Sequence, residues 1–417
     1  MEKLVVIGSG MASGRALEHL LDRAPGAYEI TVINAEPRGT YNRIMLTPVL
    51  SGEKSYDEIV THDAAWYERH GVTCRFGERV TEIDRAARTV RLGADEIPYD
   101  KLVIATGSSP FIPPVPGRDL DGVMAYRDLD DTETMIAAAQ TKGARAVVIG
   151  GGLLGLEAAA GLRLRGMEVT ILHLSGHLMD RQLDATAGDL LRQDLERRGI
   201  AVRTGARTAG IAGDTHAEAV RLEDGTEIPA DLVVMSAGIR PATGLARDAG
   251  LAVERGILVD DRMATSDPAI LAVGECVEHD GAVFGLVAPL YDQAKVLAAT
   301  LAGDAAAFVQ KRVSTKLKVT GVDLFSAGDF AEGDDREDIV YRDPNRGVYK
   351  RLVIENDRLI GAVMYGETAD SAWFFALITA GEDISGMRET LIFGPAYQEP
   401  PASATRPLSP EARADAA

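Results

Sequence analysis

Sulfur is nearly absent from this chain. Two cysteines, Cys74 and Cys276, occur in 417 residues, and no Cys-x-x-Cys pair exists. A disulfide framework, a zinc site and an iron–sulfur site built from this polypeptide alone are thereby not expected. Aromatic residues are scarce as well, at 5%, while glycine reaches 43 residues. That pairing favours glycine-cornered α/β architecture over an aromatic-rich binding module. Positive charge is outnumbered, with 44 Lys and Arg against 63 Asp and Glu and a formal charge of −19. Such a surface repels phosphate backbones and anionic lipid, which argues against nucleic acid and membranes as partners. No apolar run approaches the ~20 residues of a membrane span, and SAWFFALITAG (Ser371–Gly381) is far too short. The N-terminal MEKLVVIGSGMA has a lysine before an apolar run, as a signal peptide would. Its glycine spacing and the following Arg15, Glu18 and Asp22 fit strand, turn and amphipathic helix better. The chain reads as a soluble, cytoplasmic protein of roughly two to four domains, with an ordinary 46% of hydrophobic residues.

What is present is a repeat. KLVVIGSGMASG (Lys3–Gly14) and RAVVIGGGLLGLE (Arg145–Glu157) share one form, an apolar strand, a tight glycine turn and a helix. Each leads on to a second β-like run, EITVI (Glu29–Ile33) and EVTIL (Glu168–Leu172), so both spans read as βαβ units. Glycine is needed here for steric reasons. The first permits the turn, the second lets backbone N–H groups approach a pyrophosphate, and the third lets the helix pack close to its strand. The helix N-terminus adds about half a positive charge toward the phosphates. The second copy is complete, with Gly150, Gly152 and Gly155, and Leu153 within it is a further candidate for cofactor binding. In the first, Gly8 and Gly10 are followed by Ser13, small enough to be tolerated, with Gly14 beside it. One such motif is weak, because glycine turns also serve structure alone. Two in the same context predict two bound dinucleotides.

A carboxylate at the end of the second strand normally holds the adenosine ribose hydroxyls. Glu36 is the candidate in the first unit, against a plain solvated loop residue before Pro37. The second unit has His173 at that place, with His177 and Arg181 nearby in sequence, so NADH and NADPH both stay open. YDKLVIATGSSP (Tyr99–Pro110) is a strand ending in Ala105, Thr106 and Gly107, and ADLVVMSAGIRP (Ala230–Pro241) repeats that form through Gly238. TSDPAILAVGEC (Thr265–Cys276) runs into Gly274 and Glu275, an acid able to accept from a ribityl or ribose hydroxyl. Pro289 and Leu290 stand near the start of a further helical pattern, whose N-terminus would stabilise negative charge on a reduced flavin.

In this order the motifs resemble the pyridine nucleotide–disulfide oxidoreductase superfamily of flavoproteins. The resemblance implies an α/β fold with two Rossmann-like dinucleotide-binding domains, the NAD domain inserted in the FAD domain, and a strand-rich α+β C-terminal domain. The implied boundaries are 1–113 and 243–303 for FAD, 114–242 for NADH or NADPH, 304–398 for an interface domain and 399–417 for a disordered tail. Further stretches are similar to the N-terminal flavin portion of assimilatory NAD(P)H-nitrite reductase large subunits. They include YNRIMLTPVLSGEKSYDEI (Tyr41–Ile59), GLVAPLYDQAKVLA (Gly285–Ala298), LFSAGDF (Leu324–Phe330), YKRLVIENDRLIGAVMYG (Tyr349–Gly366) and TLIFGPAYQ (Thr390–Gln398). Those subunits continue into iron–sulfur and sirohaem regions, whereas this chain stops at Ala417. The expectation is therefore an electron-input half that serves an iron–sulfur or sirohaem protein, as a monomer or a homodimer.

Departures from the superfamily sharpen the reading. Disulfide- and peroxide-reducing members carry cysteine where this chain has Asn42 to Pro48, so thiolate chemistry beside the flavin is not expected. Cys276 reads as a small buried apolar residue. Relatives that reduce ferredoxin or rubredoxin often pair a lysine near the flavin with the glutamate of the second glycine motif. Glu157 is present, but Pro48 stands in the lysine position and Lys54 is poorly spaced to replace it. Glu157 and Arg43 are the candidate catalytic residues, Arg43 as a flavin or phosphate contact or as a structural ion pair. No metal ligands are assigned. A basic cluster, Lys311, Arg312, Lys316 and Lys318, is a candidate docking patch for an acidic partner, against a plain solvated strand face. Two alternatives stay open, a ferredoxin or rubredoxin reductase of another pathway and a low-turnover flavin-binding interaction protein.

Overall fold

The computed structural model describes residues 1–319 and 321–398, without the side chains of 317–319. The expected tail, 399–417, lies outside the described residues. The chain forms two compact units, Met1–Met179 with Arg192–Lys311, and Asp180–Leu191 with the residues from Arg312 onward.

The first unit is built on two five-stranded parallel sheets. One orders its strands Ile270–Ala272, Lys101–Ile104, Glu2–Ile7, Tyr28–Asn34 and Thr73–Phe76. The other orders Val123–Ala125, Leu232–Met235, Arg145–Ile149, Glu168–Leu172 and Ile200–Arg203. The two are equivalent down to register. Ile7 pairs with Ile33 and Ile104, and Ile149 with Leu172 and Met235. The central strands are continuous Val/Ile/Leu runs because both faces of the sheet are covered. Leu4, Val6, Val32 and Val103 pack on one face of the first sheet with Leu17, Leu20 and Leu297. Val5, Ile33, Leu102 and Ile104 pack on the other with Ile83 and Val90. Each such side chain contributes roughly 1.5–3 kcal/mol.

The repeat extends further than the glycine motifs. Each half carries a three-stranded antiparallel meander between its sheet strands, Glu82–Asp84, Thr89–Leu92 and Asp95–Pro98 before Lys101–Ile104 in the first, Thr208–Ala212, Ala219–Leu222 and Glu227–Pro229 before Leu232–Met235 in the second. The strands of the first sheet come from both sides of the second in sequence. The chain crosses between them on the antiparallel pair Ser108–Pro110 and Ile239–Pro241.

The second unit is an antiparallel five-stranded sheet, ordered Ser314–Val319, Val322–Gly328, Arg358–Tyr365, Val348–Glu355 and Glu337–Asp343, with helix Ser371–Ala380. Its core gathers Phe325, Leu352, Ile354, Met364, Phe374 and Leu377. The hairpin Val348–Gly366 turns at Asn356 and Asp357, both with φ near 50° (51° and 54°), as a type I′ turn needs. The unit divides the chain differently from the expected boundaries. It takes in Asp180–Leu191, where Asp184 accepts from the Tyr349 hydroxyl at 2.7 Å and pairs with Arg351 at 3.5 Å. Residues 304–311 belong instead to the first unit, where Phe308 packs in the core.

Candidate functional site

The first glycine turn leaves the C-terminal end of Glu2–Ile7. Gly8 has φ 105°, and a Cβ there would lie 2.3 Å from the carbonyl oxygen of Ala105. The neighbouring Ala105–Gly107 turn therefore demands this glycine whether or not a ligand is bound. Gly10 caps helix Met11–Arg23, and nothing stands within 4 Å of where its Cβ would be. Ser13 is buried and donates to the Gly10 carbonyl at 3.0 Å. Gly14 makes the tight approach, with a would-be Cβ 2.8 Å from Thr40 Cγ2. The closest packing has moved one residue along, which explains why serine is accommodated.

Glu36 follows the second strand. Its carboxylate accepts from the Tyr41 hydroxyl at 2.7 Å and pairs with Arg43. Arg43 also donates to the Arg127 carbonyl at 3.2 Å and lies 4.9 Å from the Tyr41 ring centroid. Sequence reasoning missed Asn34, whose Oδ1 accepts from Ser9 N–H at 3.3 Å and whose Nδ2 donates to the carbonyls of Glu36 and Arg38. It ties the loop of the acid to the glycine turn; a strand-ending Asn two residues before Glu36 was the available signal.

Glu275 is held by the Ser108 hydroxyl at 2.7 Å and Arg127 at 2.5 Å, both on Oε2. Thr106 donates to the Ala242 carbonyl at 2.7 Å, and the Gly238 carbonyl accepts from Phe111 N–H at 2.8 Å, lacing the crossing strands. Gly274 N–H donates to Gln293 Oε1 at 3.0 Å. Gln293 lies on helix Val287–Leu301, whose first turn carries Pro289 and the buried Leu290. Its Nε2 is buried with no partner among the described residues.

The second turn copies the first. Gly150 has φ 129° and a would-be Cβ 2.1 Å from the Ser236 carbonyl oxygen, and that of Gly155 would lie 2.0 Å from the Gly150 carbonyl oxygen. Gly152 again faces open space, and Leu153 begins the helix. His173 is buried, and its Nδ1 accepts the Gly151 N–H at 3.0 Å. It holds the glycine turn from beneath.

Glu157, on helix Leu153–Leu164, meets Thr47 from helix Leu46–Ser51. The Thr47 hydroxyl lies 3.3 Å from Glu157 Oε2 and 3.4 Å from the hydroxyl of the fully buried Tyr126. Burial pushes the Glu157 carboxyl up to about 7, with the Thr47 hydrogen bond opposing. Thr47, not a lysine, faces this acid, and Lys54 lies 3.6 Å from Glu58. Arg165, the C-cap of the same helix, donates to the carbonyls of Leu50 and Val49 and locks the two helices together. Burial holds both cysteines in the protonated thiol form. Burial pushes the Cys74 thiol up to about 11 and raises that of the fully buried Cys276. The basic cluster is not a set of four free cations. Lys311 pairs with Asp292 at 3.1 Å and Arg312 donates to the Ile378 carbonyl at 2.9 Å, while the Lys318 side chain lies outside the described residues.

Two parallel sheets, each with an open helix N-terminus after a glycine turn, are the architecture of a nucleotide-binding protein with two sites. Residues 2–303 match the family model of the pyridine nucleotide-disulphide oxidoreductases, and 314–382 that of the rubredoxin NAD+ reductase C-terminal domain. The chain belongs to the pyridine nucleotide-disulphide oxidoreductase family and is a flavin- and NAD(P)H-binding oxidoreductase. It is 46% identical to a nitrite reductase [NAD(P)H] of Bacillus subtilis over 98% of its length and 51% of the relative. It is 41% identical to the assimilatory nitrate reductase electron transfer subunit of the same organism, over 97% and 53%. The chain thus spans about half the length of these relatives. The crystal structure of an NADH:rubredoxin oxidoreductase from Clostridium acetobutylicum superposes with a TM-score of 0.80 at 27% identity, covering 93% of this chain and 97% of that one. Among the described residues, no helix is long and apolar enough to cross a membrane.

Proposed function

We propose that this chain carries FAD on the first glycine turn and NADH or NADPH on the second, and passes electrons to a separate iron–sulfur or sirohaem protein. Its place is the reductase component of an assimilatory nitrite or nitrate reductase system in the cytoplasm. The observation that carries the reading is the pairing of two open glycine turns with a direct contact, Thr47 to Glu157, between helix Leu46–Ser51 and the helix that follows the second turn. The residues present fit a flavin. Gly10 leaves room for a pyrophosphate, and the orphaned Gln293 Nε2 is a donor awaiting an acceptor beside Gly274. Glu36 and Glu275 would hold ribose and ribityl hydroxyls, with Arg43 and Arg127 fixing the two carboxylates. A bound flavin supplies the conversion of a two-electron nicotinamide donor into single electrons. Glu157 holds a proton near neutral pH, and the Thr47 hydroxyl positions it. His173 fixes the second turn without a carboxylate that would repel a 2′-phosphate.

A second reading, a rubredoxin or ferredoxin reductase of another pathway, is favoured by the match of 314–382 to the rubredoxin reductase C-terminal model. One experiment separates them. The flavin released by acid is identified as FAD or FMN, and the NADH-reduced protein is mixed anaerobically with rubredoxin or with the iron–sulfur and sirohaem part of a nitrite reductase. Faster reduction of the sirohaem protein supports the first reading. Faster reduction of rubredoxin overturns it in favour of the second.

A further inference from the structure

His279 ends strand Val277–His279 on the first sheet's side of the first unit, and Asp280 turns the chain back into Ala282–Val283 with φ 46°. The His279 side chain is 3% exposed, with its ring edge-on to Phe308 at 5.1 Å. Its Nε2 lies 2.9 Å from Asp261 Oδ1, a carboxylate that only accepts, so Nε2 carries the hydrogen and donates. In the neutral ring the lone pair then sits on Nδ1. That atom is buried without a hydrogen-bond partner among the described residues, and 3.8 Å away stands Asp280 Oδ2. A proton cannot join two atoms so far apart in a good hydrogen bond. A metal cation can, because metal–nitrogen bonds of ~2.0–2.1 Å and metal–oxygen bonds of ~2.0–2.2 Å together span the gap.

We propose that Asp261, His279 and Asp280 form a divalent-cation site of the zinc class. One possible ligand atom from each residue lies within 4.8 Å of the others. His279 Nδ1 and the 79% exposed Asp280 carboxylate are the direct ligands, and water completes the coordination. Asp261 acts from behind, fixing the tautomer and the plane of the imidazole, as carboxylates do in histidine–metal sites. The Asp261 carbonyl also accepts from Phe308 N–H at 2.7 Å. A bound cation therefore joins the 260–264 loop, the 277–283 hairpin and the segment through Phe308, and its effect is structural.

The test is calorimetric titration of the full chain with ZnCl2 after dialysis against EDTA, beside Asp280→Asn and His279→Gln. Asparagine tolerates a left-handed backbone, so Asp280→Asn folds and removes only the charged ligand. Wild type should bind one equivalent of zinc that Asp280→Asn binds at least tenfold more weakly, and zinc should raise the thermal midpoint of wild type alone. Equal uptake and equal thermal shifts in wild type and Asp280→Asn would overturn the assignment.

Discussion

Replacing Glu157 with glutamine isolates the effect of one buried acid. Burial lifts this carboxyl from 4.5 to about 7. At ~1.36 kcal/mol per unit, the shift corresponds to about 3 kcal/mol. Below pH 4.5 the side chain is protonated in both folded and unfolded chains, and stability is unaffected. Between pH 4.5 and 7 the unfolded chain loses the proton that the fold retains, so stability falls as pH rises through that window. Above pH 7 the full cost of ~3 kcal/mol is in place. Glutamine cannot ionise, and its amide oxygen still accepts from Thr47. The stability of Glu157→Gln relative to wild type should therefore climb by ~2–3 kcal/mol between pH 4.5 and pH 8. Urea unfolding of the two proteins at pH 4.5, 6 and 8 measures this. Curves that stay parallel within about 0.5 kcal/mol, or that diverge the other way, would refute burial as the controlling influence on this acid.

Four other substitutions probe the glycine turns and the acid's partner. Gly8→Ala drives a Cβ into the Ala105 carbonyl, whereas Gly10→Ala meets nothing within 4 Å. The first should lose at least ~1–3 kcal/mol of stability, and the second should fold normally and bind flavin more weakly, as thermal melts and flavin titration will show. Thr47→Val removes the hydrogen bond that opposes burial at Glu157. It should cost about 1 kcal/mol and move the carboxyl midpoint above 7 in a carbon-13 NMR titration. His173→Ala loosens the turn that both nucleotides share, so KM should rise by a similar factor for NADH and NADPH; a selective loss of NADPH would instead make His173 a 2′-phosphate ligand.

Local pattern carried the sequence reading a long way. Gly8 and Gly150 announce their turns because a positive φ leaves few alternatives, and Asn356-Asp357 announces a hairpin for the same reason. The alternation of apolar strand and helix located both parallel sheets. What stayed hidden were pairings between distant residues. Nothing near Thr47 marks it as the partner of Glu157, and nothing near Ser108 or Arg127 points to Glu275. Asp184 lies within a span read as part of the NAD(P)H domain, yet its bonds to Tyr349 and Arg351 draw it into the C-terminal unit. The family pattern drew attention to a missing lysine, and only the fold could supply the threonine that faces the acid instead.

The central claim, that a flavin on the first turn is reduced by a nicotinamide on the second, is tested most directly by anaerobic titration of the purified protein with NADH and, separately, NADPH. Flavin absorbance is followed throughout. The account predicts prompt bleaching complete at one equivalent of at least one nucleotide. A yellow protein that neither nucleotide bleaches would contradict it.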